Sequence, residues 1–142
     1  MDQSSITMCA SALASSITKV SLTVTAFTRD FPIARADLDT LSCELLYLKS
    51  ILELLTDGEN NSASNNVTSP KTLQNQITGI LKNCNGILNE ISDVLEDCRK
   101  NRSDKTAKWA NSGQRDVAKL KQSLQAHKSA LYISLDILSM LV

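Results

Sequence analysis

The sequence predicts an all-α fold, an antiparallel bundle of four main helices, on two observations. Apolar residues recur at alternating steps of three and four along four long stretches, which keeps them on one stripe of each helix. The chain also has only 4 glycines, 2 prolines and 4% aromatic residues, a poor supply for a sheet protein with many turns. Four apolar stripes leave water most economically by facing one another, and 142 residues suffice for one compact domain.

The first helix is expected from about Ser4 or Ser5, either of which is a good N-cap, to about Phe27. Lys19 is the only charged residue among residues 3–28, and eleven of these 26 positions are Ser or Thr. Because Ser and Thr each cost about 0.5 kcal/mol of helix propensity relative to Ala, this segment is helical only if something packs against it. Its apolar row is Ile6, Ala10, Leu13, Ile17, Val20, Val24 and Phe27.

Two interpretations of the first helix stay open. It is either a structural helix packed among the other three, or a detachable segment that inserts into lipid or assembles with copies of itself. Small residues at four-residue spacing, such as Ala10 with Ala14, permit the close helix approach used within membranes. The predicted membrane or oligomer segment is therefore the apolar row together with Ala14.

Phe31-Pro32 predicts a turn before a second helix over roughly Ala34 to Thr56. Residues 57–70 are polar, have nothing to bury and are expected to form a mobile loop. Ser69-Pro70 then predicts the N-cap and first-turn proline of an unbroken third helix that extends to about Arg99. The apolar row of the second helix is Leu38, Leu41, Leu45, Leu48, Leu52 and Leu55. The row of the third is Leu73, Ile77, Ile80, Cys84, Ile87, Ile91, Val94 and Cys98.

The start of the fourth helix stays open in the sequence. Residues 111–113, Asn-Ser-Gly, are compatible with a kink, with a break, or with a cap after a short extra helix near Trp109. The apolar row that follows is Val117, Leu120, Leu124, His127, Leu131, Ser134, Leu138 and Leu141.

The net charge of zero is the sum of unlike parts. Residues 35–59 carry two basic and six acidic residues, whereas residues 99–128 carry nine basic and two acidic residues, a net charge of +7. The basic stretch predicts attraction to anionic lipid headgroups, at about 1 kcal/mol per basic residue, or to an acidic partner helix. The alternative is a solvated face beside acidic neighbours in the same bundle. The basic residues are Arg99, Lys100, Arg102, Lys105, Lys108, Arg115, Lys119, Lys121 and Lys128.

The sequence predicts no enzyme activity, no cofactor and no metal site. His127 is the single histidine and lies on an apolar row, where a neutral imidazole hydrogen-bonded inside the bundle is expected. There is no glycine-rich phosphate loop, and no Glu-x-x-His motif accompanies the acidic residues of the third helix. Trp109 is the only aromatic residue of the basic stretch, too little for a base-stacking platform, so no nucleic-acid partner is expected.

The cysteines and the N-terminal residues indicate the cellular compartment of the protein. Cys9, Cys43, Cys84 and Cys98 form no C-x-x-C pair and fall within helical stretches, so we expect buried, reduced thiols. The longest apolar runs are a few residues, against the 18 or more of a membrane span, and Met1 is not followed by a basic signal region. These features predict a cytoplasmic protein whose association with the plasma membrane is conditional.

Met1-Asp2 comes before a small-residue helix, and Phe31-Pro32 and the leucine-rich residues 38–55 follow it. This order resembles the opening of one family, the fungal HeLo-like domains at the N-termini of NOD-like (STAND) receptors and ankyrin-repeat proteins. Trp109, Leu120, Leu124 and residues 127–131, His-Lys-Ser-Ala-Leu, are similar to its closing helix. The resemblance spans nearly the whole chain.

The resemblance implies a helical signalling bundle, related to fungal executioners of programmed cell death and to the four-helix bundle of the mixed-lineage kinase-like necroptosis effector. It implies an N-terminal domain of a longer protein whose sensor region drives oligomerisation, after which the first helix targets the membrane. The implied partners are further copies of the chain, anionic lipids and the downstream sensor region. Ala and Ser replace the glycine zipper of several pore-forming members, which leaves a soluble adaptor that only binds partner proteins as the alternative.

Overall fold

A computed structural model describes residues 3–62, 70–100 and 108–140. All regular structure in these ranges is helical, which confirms the predicted all-α bundle. The four long helices are α1 (Gln3–Asp30), α2 (Arg35–Ser62), α3 (Lys71–Lys100) and α4 (Gln114–Met140). A 3-10 turn, Pro32–Ala34, joins α1 to α2, and a π-helical turn, Trp109–Gly113, precedes α4.

Several boundaries differ from the prediction. The helix α1 begins at Gln3, ahead of the predicted N-caps Ser4 and Ser5, and continues to Asp30. The helix α2 continues to Ser62, so the expectation of a loop over residues 57–62 is wrong. A helix that is already nucleated gains one hydrogen bond for each residue it adds, so it can extend beyond the last residue of its apolar row. Pro70 lies immediately before α3, where its carbonyl oxygen accepts the N–H of Gln74 at 3.1 Å, rather than in the first turn. Residues 63–69, which include the predicted N-cap Ser69, lie outside the described residues.

The helices form a ring in which α1 packs against α2 and α3, and α4 packs against α3 and, less extensively, α2. Successive helices run antiparallel, but the neighbours α1 and α3 run parallel, since Asp30 and Arg99 at their C-terminal ends form an ion pair. At mid-length the Ser16 hydroxyl donates to Oδ1 of Asn85 across the same pair. The helices α1 and α4 therefore occupy opposite corners of the bundle.

The core contains the predicted apolar rows of α1 and α2 in full. On α3 the buried face is wider than the predicted row: Leu81, Leu88 and Leu95 are fully buried, whereas Ile80 and Val94 are only half-buried. The difference arises because α3 has two extensive neighbours, α1 and α4, so the core wraps around more than one stripe. On α4 the core takes Val117, Leu124, Leu131 and Ser134.

The turn around Trp109 resolves the open boundary before α4. Trp109 is buried, with its ring centroid 5.3 Å from that of Phe27, which in turn stacks on Phe31 at 4.6 Å. The π-helical turn runs directly into α4, so the extra helical turn near Trp109 is continuous with α4 and not separated from it by a break. Gly113 ends the turn in a buried position against Cys98 and Trp109.

Candidate interaction surfaces

The predicted membrane or oligomer segment lies inside the bundle. Its members Ile6, Ala10, Leu13, Ile17, Val20, Val24 and Phe27 are each at most 3% exposed. Ala14 is half-buried and packs against the same core. In this conformation the apolar row of α1 therefore contacts protein, and only release of α1 would make it available to lipid.

The opposite side of α1 is exposed and almost without charge. We call Met8, Ala12, Ser15, Lys19 and Leu22 the α1 outer face; all five are exposed. Met8 and Leu22 are 72% and 68% exposed. Lys19 makes no ion pair with any described residue.

Four threonines of α1 are hydrogen-bonded within their own helix. Each hydroxyl donates to the carbonyl oxygen four residues earlier: Thr18 to Ala14 at 3.2 Å, Thr23 to Lys19 at 3.1 Å, Thr25 to Ser21 at 2.9 Å and Thr28 to Val24 at 2.7 Å. Threonine hydroxyls that are satisfied in this way need no water and no partner helix. The helix could thus enter an apolar environment without leaving these groups unpaired.

The predicted basic residues are spread over several sides of the bundle. Near the end that holds Trp109, Lys108 pairs with Asp97 at 3.3 Å, and Arg99 pairs with Glu96 at 3.4 Å as well as with Asp30 at 4.0 Å. These ion pairs match the interpretation of a solvated face beside acidic neighbours.

Other members of the basic set line the seams of α4. Lys121 donates to the Thr40 hydroxyl at 2.9 Å, and Lys128 pairs with Glu44 at 2.6 Å, both across the seam with α2. Lys119 lines a shallow cleft of about 400 Å³ between α3 and α4. The other residues of this cleft are Glu90, Asp93, Val94, Asp116 and Leu120.

Four of the described basic residues, Lys100, Arg115, Lys119 and Lys121, form no ion pair with any described residue. Lys100 is exposed at the end of α3, and the exposed Arg115 donates only to the carbonyl oxygen of Asn111, at 3.3 Å. Arg102 and Lys105 lie outside the described residues. The predicted binding of anionic lipid or of an acidic partner therefore depends on fewer available charges than the sequence count implies.

The seam between α2 and α4 has several polar contacts. The Gln114 amide donates to Asp37 at 2.9 Å, the Gln125 amide donates to Glu44 at 3.0 Å, and the Lys128 ammonium lies 4.5 Å from the centroid of the Tyr47 ring. Burial raises the pKa of Glu44, but hydrogen bonds from Lys128 and Gln125 and the Lys128 charge outweigh it, so the pKa lies below its ordinary value. Glu44 is therefore held ionised at neutral pH.

The four cysteine thiols and the His127 imidazole differ in burial and in hydrogen bonding. Cys84 and Cys98 are buried as predicted, but Cys9 is only half-buried and Cys43 is exposed, because position 43 faces away from the core row of α2. Burial raises the pKa of the Cys84 thiol to about 11 and also raises that of Cys98, so both stay protonated at neutral pH. Nδ1 of His127 is hydrogen-bonded to the carbonyl oxygen of Ser123 at 2.7 Å, as expected for a histidine on that row.

The surface that sequence reasoning missed lies on the C-terminal half of α4. Tyr132, Ile133, Ile137 and Met140 are 56%, 60%, 44% and 82% exposed, and we call them the α4 strip. Asp136 lies within the strip, is exposed, and makes no ion pair with any described residue. The available signal was local: residues 129–140 contain apolar residues beyond the row that faces the core, and Asp136 is their only charge.

Comparison with protein-family models finds none that matches the chain, and comparisons with curated proteins and with solved structures also find no match. Within the described ranges, no helix is long and apolar enough to cross a membrane. No three His, Cys, Asp or Glu side chains in those ranges are grouped so that they could hold a metal ion.

Proposed function

We propose that this domain is a self-assembling helical signalling module of the HeLo-like kind. In this role it precedes the sensor region of a fungal receptor of innate immunity or programmed cell death, and sensor oligomerisation drives its assembly. The observation that supports the proposal is the α4 strip, four large apolar or aromatic side chains that lie exposed on one face of α4. Exposed apolar patches on an otherwise well-packed domain typically mark interaction sites.

Membrane targeting through α1 is a second candidate, and one specific feature of that helix favours it. Four threonine hydroxyls of α1 are paired with their own backbone, and Lys19 is its only charge among residues 3–28. These hydroxyls would stay paired if α1 moved into lipid, and Lys19 would be the one charge of that range to leave water. Membrane action in this scheme follows assembly, because α1 must first leave the core.

The experiment that tests both candidates compares the full chain alone with the same chain fused to a chemically inducible dimeriser. Oligomeric state is measured by sedimentation velocity, and vesicles of phosphatidylcholine with phosphatidylserine report co-sedimentation and dye leakage. Self-assembly that increases with concentration and with the dimeriser supports the signalling module. Vesicle binding only in the forced state adds membrane targeting. A chain that grows no larger than the forced dimer when linked, and that binds no vesicle, would contradict the proposal.

A further inference from the structure

Two exposed faces of the bundle point away from each other. The α1 outer face lies opposite the core row of α1, and the α4 strip lies on the outward side of α4. Because α1 and α4 occupy opposite corners, neither face can reach the other within one copy. Both faces are therefore open to a second molecule.

The charges of these two faces are complementary. Lys19 is the only charge of α1 among residues 3–28, and Asp136 is the only charge of α4 among residues 129–140. Both side chains are exposed, and neither is ion-paired within the described part of the chain. Contact between the faces would bury little charge, and the two charges it did bury would have opposite sign.

We propose that the α1 outer face of one copy docks on the α4 strip of a second copy, with Lys19 pairing with Asp136. This inference rests on the proposed self-assembly and names its interface. Contact of α1 with α1 is disfavoured because Lys19 lies near the middle of its helix, so an antiparallel crossing would bring two ammonium groups together. Contact of the α4 strip with a second α4 strip is disfavoured as well, because it would bury two Asp136 carboxylates of like charge in one interface.

The shapes of the two faces also fit. The α1 outer face has small residues, Ala12 and Ser15, between the larger Met8 and Leu22, which allows close approach of a partner helix. The α4 strip presents large side chains one helical turn to each side of Asp136, namely Ile133 and Met140. Leu22, three residues from Lys19, would meet one of these two in either orientation of the helices.

Such a contact is heterologous, since it joins two different faces, and each copy keeps one unoccupied face that a further copy can bind. A heterologous contact does not close at two copies, and it produces a ring or an open filament. Assembly is thus expected to continue beyond a dimer as concentration rises. This behaviour suits a module that is brought together by an oligomerising sensor.

The test is a charge exchange in the full chain. Lys19→Asp and Asp136→Lys should each weaken self-association by about tenfold, because each places like charges opposite one another. The double variant should restore association to near the original level. Matched controls are Lys49→Asp and Glu53→Lys, exposed residues of α2 that are not ion-paired within the described residues, and both should associate as the original chain does.

A second pair of variants tests the apolar part of the contact. Ile133→Lys should abolish association, whereas Leu46→Lys, at a position on α2 of similar exposure, should not. Oligomeric state is measured by sedimentation velocity over a concentration series, with the circular dichroism melt of each variant confirming the fold.

The outcomes separate this inference from the proposed function. If the original chain associates but the single exchanges have no effect, or the double variant is not restored, the interface is wrong and self-assembly stands. A chain that stays monomeric at all concentrations, and that grows no larger than the forced dimer when linked, overturns both. Growth that stops at a dimer overturns the heterologous contact. If Ile133→Lys lowers binding to phosphatidylserine vesicles while association is unchanged, the strip binds lipid and the proposal fails.

Discussion

Gly113 lies so close to Cys98 that a Cβ at position 113 would be 2.7 Å from the sulfur. The same Cβ would be 2.9 Å from Cε3 of Trp109. The absence of a side chain at this one position thus lets the π-helical turn lie directly on α3 and hold the indole ring against Phe27. The start of α4 depends on this contact.

Gly113→Ala should therefore destabilise the domain by about 1–3 kcal/mol, the usual cost of overpacking, despite the better helix propensity of Ala. The measurement is the free energy of unfolding in urea. Gly86→Ala is the matched control: nothing lies within 4 Å of its Cβ, so the substitution should stabilise α3 by up to about 1 kcal/mol. Equal effects at the two positions would contradict the close contact, whereas partial rescue of Gly113→Ala by Cys98→Ala would support it.

The Glu44 and Lys128 pair makes stability depend on pH. Because the folded pKa of Glu44 lies below its ordinary value, the pair stabilises the fold above the unfolded pKa, and this contribution is lost as the pH falls through the folded value. The loss is expected below about pH 4.3, the ordinary glutamate value. Glu44→Gln should lower the free energy of unfolding at pH 7 by about 1–3 kcal/mol and flatten its decline in acid.

Both side chains of this pair are largely shielded, 17% exposed for Glu44 and 18% for Lys128, which is why the expected effect exceeds that of a surface ion pair. Glu53→Gln on the exposed side of α2 is the control and should change stability by less than about 0.5 kcal/mol. An unchanged acid profile in Glu44→Gln would show that the pair is not coupled to folding.

A charge on α1 should separate membrane action from folding. Ala14 lies off the main apolar row, but it packs against the core, so Ala14→Glu would disturb the bundle itself. Ala12 is exposed, and Ala12→Glu should keep the helical signal and a cooperative melt while opposing insertion of α1 into lipid by a few kcal/mol. Vesicle leakage by the forced oligomer is the measurement. A folded Ala12→Glu chain that still causes leakage would show that α1 does not enter the bilayer.

Binding to anionic vesicles should depend on the basic residues that lack acidic partners. Lys100→Glu and Arg115→Glu together should weaken binding by roughly 2 kcal/mol, and high salt should weaken it as well. Lys108→Gln is the control, because that ammonium group is paired with Asp97. If the double variant binds as the original chain does, the basic residues are only a solvated face.

Much of the fold was predictable because burial in a helical bundle follows a local periodicity. The rows of α1 and α2, from Ile6 to Phe27 and from Leu38 to Leu55, are buried as their spacing predicts. The unbroken α3 also follows from spacing, as do the hydrogen-bonded position of His127 and the presence of four long helices. These features depend on the 3.6-residue helical turn, which can be recognised from residues that are close together in the sequence.

Tertiary structure alone decided which helices became neighbours. The pairing of Lys128 with Glu44 joins residues 84 positions apart, and no local pattern selects α2 rather than α3 as the partner of that lysine. Position 113 has no room for a side chain because Cys98 of α3 and the ring of Trp109 pack against it. The exposure of Ile133 follows in the same way, since an apolar side chain remains in water when the ring order places no helix over it. Periodicity fixes which face of a helix turns inward, and packing between helices fixes what each remaining face meets.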